Sequence, residues 1–445
     1  MERIVVLGGG ESGIGSAVLA KVKGYDVFLS DSGNIAPKYE QELLKWEIPY
    51  ESGGHSENLI LNASEIIKSP GIPSSAPIVR QAEEKGIHII SEIEFAGRYD
   101  RARKICITGS NGKTTTTSLI YYLLEQAGVN VGLGGNIGKS YAYQVATEDH
   151  DVYVLELSSF QLANMYDFKA DIAIITNITP DHLDRYDHKM ENYVKAKFRI
   201  TRNMNEDDCF IFDSDDEITI RHLDKIMVKA TRLPFSQKTK VEQGAYVEQG
   251  RIIVNVPEKE PCNIFLNELA LEGKHNVYNS MAAAIAAKVM DISNEHIRAC
   301  LKSFQAVEHR LENVASVGGV LYINDSKATN VDSAWYALEC QTKPVVWIVG
   351  GKDKGNDYTP LLELASKKVK AIVCLGIDNV KIHNSFGSVV PTIVDTRSAE
   401  DAVREASRLA SSGDVVLLSP CCASFDLFKS YEDRGRQFKE AVKKL

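Results

Sequence analysis

KICITGSNGKTTTT, residues 104–117, runs from a short apolar strand through a glycine-bearing turn into the start of a helix. Ile105, Cys106 and Ile107 are apolar enough for a parallel strand covered on both faces. Gly109 and Gly112 let the turn expose backbone N–H groups, and the helix N-terminus that follows aims such groups at an anion. Lys113 is then placed to reach the β and γ phosphates of a nucleotide, and the Thr114 hydroxyl to serve as a Mg²⁺ ligand. Gly109, Ser110, Asn111, Gly112, Lys113, Thr114 and Thr115 thus read as a phosphate loop of a short GxxGKT form. The longer GxxxxGK[ST] loop would need glycine where this chain has Ile107. A plain strand-to-helix turn with a solvated lysine would explain the glycines, but not strand, loop, lysine and hydroxyl together.

Outward from the loop, DVYVLE (151–156) and DIAIITN (171–177) are continuous apolar strands that end in polar residues. Ligands of an open α/β sheet sit beyond the carboxyl ends of its strands, so Glu156 and the stretch Asn177 to His182 should face the same crevice as Lys113. Residues 206–261 carry many charges and short β runs, CFIFD and RIIVNV among them, and read as an antiparallel flap on the sheet edge. HNVYNSMAAAIAAKVM (275–290) has the alanine-rich run of a packed helix, with Asn276 near its start.

Toward the N-terminus, RIVVL, VFLSD, EIIKSPGI and IHIIS alternate with helical stretches, a rhythm that predicts a parallel sheet. Gly8, Gly10 and Gly13 satisfy GxGxxG, and Asp31 ends the second strand about 20 residues on, as a dinucleotide fingerprint asks. A nicotinamide enzyme is one reading; the pyrophosphate of a UDP-sugar is another, since any tight βα turn near a pyrophosphate selects the same glycines. Ser69, Pro70 and Gly71 form either a plain strand-end turn or part of that rim. Toward the C-terminus, VLYIND, PVVWIVGG, AIVCLG, a strand near 391–394 and DVVLLSP repeat the alternation. Polar sets at their ends, Asp325 to Thr329, Lys352 with Asp353, and Ser419, point to a second ligand face. The expected architecture is α/β with three domains: a Rossmann-like domain over 1–92, a central P-loop parallel sheet that binds ATP over 93–298, and a second Rossmann-like domain over 299–445.

Composition sets outer limits. The chain has 445 residues, too many for one core. At 44% hydrophobic and 25% charged it has the balance of a soluble globular protein, with no apolar run near the about 18 residues of a membrane span. The strand pattern RIVVL begins already at Arg3, without a basic, apolar and cleavage-site series before it, so a cytoplasmic protein is expected. The eight cysteines include no CxxC pair, which fits reduced thiols, with Cys421 and Cys422 as packing residues. A net charge of −9 argues against a broad nucleic-acid footprint and for small anionic ligands.

TGSNGKTT (108–115), ELSSFQL (156–162), NITPDHLDRY (177–186), the second lysine of YVKAKFRI (Lys197), HNVYN (275–279), EHRLE (308–312) and NDSKATN (324–330) together resemble the Mur ligases. GGKDKG (350–355) and LLSPCCASFDLFKSYEDRGRQF (417–438) are similar to the D-glutamate-adding branch of that family. The resemblance runs through all three segments, more in pattern than in identity over the first, where Gly33 stands at a position some members fill with a basic residue. It implies an ATP-dependent amide ligase of cell-wall precursor synthesis that adds D-glutamate to UDP-N-acetylmuramoyl-L-alanine through an acyl phosphate. On that resemblance Lys113 holds the γ-phosphate, Thr114 and Glu156 ligate one Mg²⁺, and His182 serves a second; alone, His182 would read as a turn or core histidine. Lys197, by itself a helix-surface lysine, would be carbamylated and so act as an anion toward metal. Asn276 would lie near adenine, Arg310 and Lys327 on phosphates and Asp325 on the ribose. Thr329, Lys352, Ser419 and Phe425 would hold D-glutamate. Ser12, Gly13, Asp31, Ser69, Pro70 and Gly71 would line the UDP end, with Asn136, Ser158 and Gln161 along the sugar-peptide. No nucleic-acid or membrane partner is implied, and a monomer is expected. An oxidoreductase would leave the constellation from Gly109 to Lys197 without a task, and a nucleotide switch would need no amino-acid site. Diaminopimelate-adding members usually show a DNPR signature that this sequence lacks.

Overall fold

The computed structural model describes residues 2–445 apart from 182, 272, 305–307 and 354. Its first sheet contains β1 (Arg3–Leu7), β2 (Asp26–Asp31), β3 (Tyr50–Ser52), β4 (Glu65–Lys68) and β5 (His88–Ile90), all parallel in the order β3-β2-β1-β4-β5. Side chains alternate across it as a strand's two-residue period demands. Ile4 and Val6 join one buried cluster, Val5 and Leu7 the other. Strand order reverses between β1 and β4, so the turns after these strands, Gly8 to Gly10 and Ser69 to Gly71, flank the crevice at the switch point.

The second sheet contains β6 (Arg103–Thr108), β7 (Val131–Gly135), β8 (Val152–Glu156), β9 (Ile172–Ile175), β10 (Cys209–Asp213), β11 (Thr231–Ser236), β12 (Gly244–Glu248), β13 (Arg251–Asn255) and β14 (Cys262–Phe265). Its order is β14-β13-β12-β11-β10-β9-β6-β8-β7, and only β12, β13 and β14 pair antiparallel. The expected flap over 206–261 is therefore half right. CFIFD is β10, a parallel strand inside the sheet between β9 and β11, because Phe210, Ile211 and Phe212 are buried on both faces. The antiparallel edge begins only at Gly244.

The third sheet contains β15 (Glu312–Val317), β16 (Val320–Asn324), β17 (Val345–Gly350), β18 (Val369–Leu375), β19 (Ile393–Thr396) and β20 (Val415–Cys421), in the order β15-β16-β20-β17-β18-β19. It is parallel except for β15, which runs antiparallel to β16. Two apolar layers cover it, one around Trp347 and Phe386, the other around Phe438 and Val403.

Contacts divide the chain into two compact units, 1–269 with 277–304, and 270–276 with 305–445. The first unit holds the first two sheets in a shared core. Helix Glu11–Val22 packs on helix Tyr141–Thr147, and the buried Glu92 carboxylate accepts from Ser140 Oγ and the Ala142 amide. Among the described residues no helix is long and apolar enough to cross a membrane.

Candidate active site

In the first unit, β6 delivers the chain into the loop 109–112, and Gly112 caps helix Lys113–Gln126 in the left-handed region at φ +81°. Gly109 stands at φ +149°, and a Cβ there would lie 1.9 Å from Thr176 Oγ1, so no other residue fits. The segment after β9 clamps the loop. Ser110 N donates to Asn177 O at 2.8 Å, Ser110 Oγ to Thr179 O at 2.8 Å, and Asn111 N to Asn177 Oδ1 at 2.9 Å. This joins the loop to NITPDHLDRY, as strand ends of one sheet require. His182 itself lies outside the described residues.

Two lysines meet at one carbonyl. Lys113 Nζ donates to Gly109 O at 2.9 Å and to Ser110 O at 2.9 Å, while Lys197 Nζ donates to Gly109 O at 2.6 Å. Lys197 is 2% exposed, on helix Met190–Phe198, with its Nζ 4.5 Å from the centre of the Tyr193 ring. Burial first, and then the Lys113 charge, hold its amine well below the ordinary lysine range, against the pull of Asp181 and Glu156. Glu156 ends β8 in register with Ile107 of β6. Its carboxylate is 1% exposed and accepts from Asn136 Nδ2 at 2.8 Å. Thr114 and Thr115 are buried in the first helical turn. The oxygens of Glu156 and Thr114 are the donors a hard cation such as Mg²⁺ prefers, so this strand-and-loop end fits that ion.

The other residues picked from the first unit are in part occupied with holding its turns. Ser158 and Gln161 form a reciprocal capping box on helix Ser159–Ala163, with Ser158 N on Gln161 Oε1 at 2.9 Å and Gln161 N on Ser158 Oγ at 3.2 Å. Asp31 accepts from Gly9 N at 2.5 Å and Gly33 N at 2.7 Å, bracing the glycine turn after β1. Gly13 is where that turn meets the helix, since a Cβ there would fall 1.8 Å from Gly8 O. Ser12 is half-buried and its carbonyl accepts from Ser16 Oγ. Ser69 Oγ is buried beside Gly8 with no hydrogen-bond partner among the described residues, while Pro70 is half-buried and Gly71 exposed.

In the second unit, Asp325 follows β16 and is 6% exposed. Its carboxylate accepts from Ser419 Oγ at 2.9 Å and Leu311 N at 3.2 Å. Burial pushes it up to about 7, with Arg310 and Ser419 opposing. Arg310 lies between His309 (φ +65°) and Leu311 (φ +42°), and its buried Nε has no hydrogen-bond partner among the described residues. Lys327 Nζ lies 5.3 Å from the centre of the Tyr431 ring, and the Lys327 amide donates to His309 O. The fully buried Ser419 places its hydroxyl on Asp325, so these two are brought together directly. Lys352 is tied by its amide to Ala423 O at 2.8 Å and keeps its side chain exposed. Phe425 is 70% exposed, Thr329 half-buried and Asn276 buried.

Family models match nearly the whole chain: a MurD-like N-terminal domain of Mur ligases at 2–91, the Mur ligase middle domain at 107–287, and the Mur ligase glutamate ligase domain at 309–422. The chain belongs to the Mur ligase family. This Mur ligase is 57% identical over 446 residues to the UDP-N-acetylmuramoylalanine--D-glutamate ligase of Bacteroides fragilis, covering 100% of each. It is 55% identical to the enzyme of that name from Christiangramia forsetii, again over 100% of each. Among solved structures it is similar to a UDP-N-acetylmuramate-alanine ligase from Thermotoga maritima (TM-score 0.64, 18% identity, 100% of each chain) and to a pseudomurein peptide ligase type C from Methanothermus fervidus (TM-score 0.62, 20% identity, 100% of each chain). These likenesses show the fold, the expected α/β class in three domains.

Several charged groups of this Mur ligase lie outside the set of residues to which the sequence points. Arg434 is 1% exposed; its guanidinium donates to Ser326 Oγ at 2.9 Å, Ser326 O at 2.7 Å and Cys422 O at 3.2 Å, joining the turns after β16 and β20. Lys68 is buried with its Nζ on Ile72 O, and burial with the Arg185 charge brings it down to about 8. Arg185 stacks over Phe160 at 4.5 Å. The signal was available for Lys68, a lysine that follows Ile66 and Ile67 at the sheet's carboxyl edge. Arg434 lies within the 417–438 stretch that resembles the family, but nothing in the sequence of its charged helix marks the guanidinium as buried.

Proposed function

We propose that this Mur ligase joins D-glutamate to UDP-N-acetylmuramoyl-L-alanine with ATP, giving ADP and phosphate, in peptidoglycan precursor synthesis. The observation that carries the ATP chemistry is the convergence of Lys113 and Lys197 on Gly109 O at the mouth of a glycine-capped helix, beside the buried Glu156. The amino acid is carried by the full-length relatives named as D-glutamate ligases. Hydroxide leaves a carboxylate poorly, so the L-alanyl carboxylate first takes the γ-phosphoryl group of ATP. One carboxylate oxygen attacks phosphorus as ADP departs, and the D-glutamate amine then displaces phosphate from the acyl carbon, losing a proton. Phosphoryl transfer asks mainly for positioning and charge stabilisation. Lys113 and the amides that open its helix supply both at the γ-phosphate, while the Ser110 and Asn111 amides are held by Asn177.

Thr114, Glu156 and His182 are the residues we assign to two Mg²⁺ ions, which when bound polarise phosphoryl and carboxylate oxygens. Lys197, whose buried amine is held well below the ordinary lysine range, is suited to add CO₂, forming a carbamate N–C bond with loss of one amine proton and presenting an anion where an ammonium would repel metal. Arg310 and Lys327 serve ATP phosphates, Asp325 the ribose and Asn276 the adenine. Lys352, Thr329, Ser419 and Phe425 serve D-glutamate. Ser12, Gly13, Asp31 and Ser69 to Gly71 serve the UDP end, with Asn136, Ser158 and Gln161 along the sugar-peptide. We place the domain boundaries near residues 92 and 298, and read the enzyme as a cytoplasmic monomer without nucleic-acid partners. Phosphate release measured with ATP, UDP-N-acetylmuramoyl-L-alanine and a panel of amino acids tests the reading. Release should require both the UDP-substrate and D-glutamate, and release that ignores either one overturns it.

A further inference from the structure

We propose that Cys374, His383 and Asp395 form a binding site for one divalent cation of the zinc class, a site to which the reading above gives no task. Cys374 in β18 and Asp395 in β19 are direct register partners on adjacent parallel strands. His383 comes from helix Val380–Phe386, which follows β18. One ligand atom from each, thiol sulfur, imidazole nitrogen and carboxylate oxygen, lies within 4.8 Å of the others. His383 Nε2 is 3.1 Å from both Asp395 oxygens. Ligand atoms around a tetrahedral zinc with bonds of about 2.0–2.3 Å stand roughly 3.3–3.8 Å apart, so small side-chain adjustments close the set. Sulfur, nitrogen and oxygen from three side chains suit a borderline-soft ion and leave a fourth position to water.

The surroundings fit the same use. Asn379, itself 9% exposed, donates from Nδ2 to Asp395 Oδ1 at 2.9 Å and to Gly376 O at 3.2 Å, orienting the carboxylate from behind. Thr396 Oγ1 donates to Cys374 O at 2.8 Å, fixing the strand that carries the thiol. His383 and Asp395 side chains reach solvent, at 41% and 57% exposure, so an ion has an entry path to the buried sulfur. Among the described residues no lysine or arginine pairs with Asp395. A second group, Glu308, His309 and Glu312, shows the contrast, because Lys439 Nζ already bridges both of its carboxylates at 2.8 and 2.5 Å. A simple His–Asp ion pair would account for two of the three residues, but would leave a buried thiol against a carboxylate. A bound cation displaces the thiol proton to solvent and neutralises both groups.

Co²⁺ titration of the full chain, in chelator-treated buffer with saturating Mg²⁺ to fill oxygen-donor sites, tests this. The expected result is one equivalent of Co²⁺ with a near-ultraviolet sulfur-to-cobalt charge-transfer band that Zn²⁺ abolishes. Cys374→Ser should lose the band. His383→Gln and Asp395→Asn, changes at exposed side chains that leave the fold intact, should each weaken Co²⁺ binding at least about tenfold. Absence of the band in the wild type overturns the proposal, as does its survival in Cys374→Ser. Should Cys374→Ser not fold, unchanged Co²⁺ affinity in both exposed-residue variants overturns it equally.

Discussion

Lys197 shows how far a single residue can be read from its neighbours in sequence and where that reading stops. On helical periodicity it is one of the two lysines in YVKAKFRI; only the fold buries it and aims its amine at Gly109 O. The carbamate proposed for Lys197 has a distinctive phenotype. Lys197→Ala should be nearly inactive and partly restored by formate or acetate, whereas rescue by amines instead would assign it a cationic role on phosphate. Asp325 was legible as a strand-end polar residue, but its burial and its bond from Ser419 were not, since Ser419 is 94 positions away. Its carboxyl group is raised from 3.8 to about 7, so between those values the folded chain keeps a proton that the unfolded chain releases. Stability from this group is therefore complete below about pH 4 and is lost as pH rises toward 7, by up to about 1.4 kcal/mol per pH unit. Urea unfolding at pH 5 and pH 7 should show the wild type losing roughly 2 kcal/mol relative to Asp325→Asn over that interval. Parallel behaviour of the two proteins would rule out a raised Asp325.

Elements that combine an apolar run with a punctuating residue were the ones sequence located well: the strand before the phosphate loop, the alanine-rich helix, and most strands of the outer sheets. β7, VGLGG, was missed because glycine gives a strand no side chain to signal with; its place is set instead by pairing along β8. β3 and β15 were missed as well, the first for its three residues and the second for its polar sequence. The phosphate loop is the element whose geometry is least negotiable. Gly109→Ala would place a methyl group on Thr176 Oγ1 at a backbone angle that costs a non-glycine residue roughly 1–3 kcal/mol. Nucleotide affinity measured by calorimetry should fall at least tenfold, with a lower melting temperature. Normal ATP binding by that variant would mean that the loop does not hold phosphate in this conformation.

At the scale of the whole molecule, the alternation of strand and helix was enough to anticipate three α/β sheets, because each parallel strand needs a crossover that leaves a mark in the sequence. That contacts unite the first two sheets in one compact unit could not be anticipated, since it depends on which helices meet across them. Separate residues for ATP and for D-glutamate, as proposed above, make a separable prediction. Lys352→Ala should raise the KM for D-glutamate far more than that for ATP, and the wild type should prefer D-glutamate over L-glutamate, D-glutamine and meso-diaminopimelate by roughly 10⁴, the discrimination of sites built on charged hydrogen bonds. Equal use of meso-diaminopimelate would contradict it. Arg434 has a consequence for genetics. The helix that carries it, Tyr431–Lys443, contains no assigned ligand, yet its guanidinium stitches the turn bearing Asp325 to the strand end bearing Ser419. A nonsense codon at position 431 would spare every residue assigned to chemistry and still behave as a null allele. Complementation of a conditional strain by a chain ending at Ser430 should fail as completely as it would for one lacking the phosphate loop.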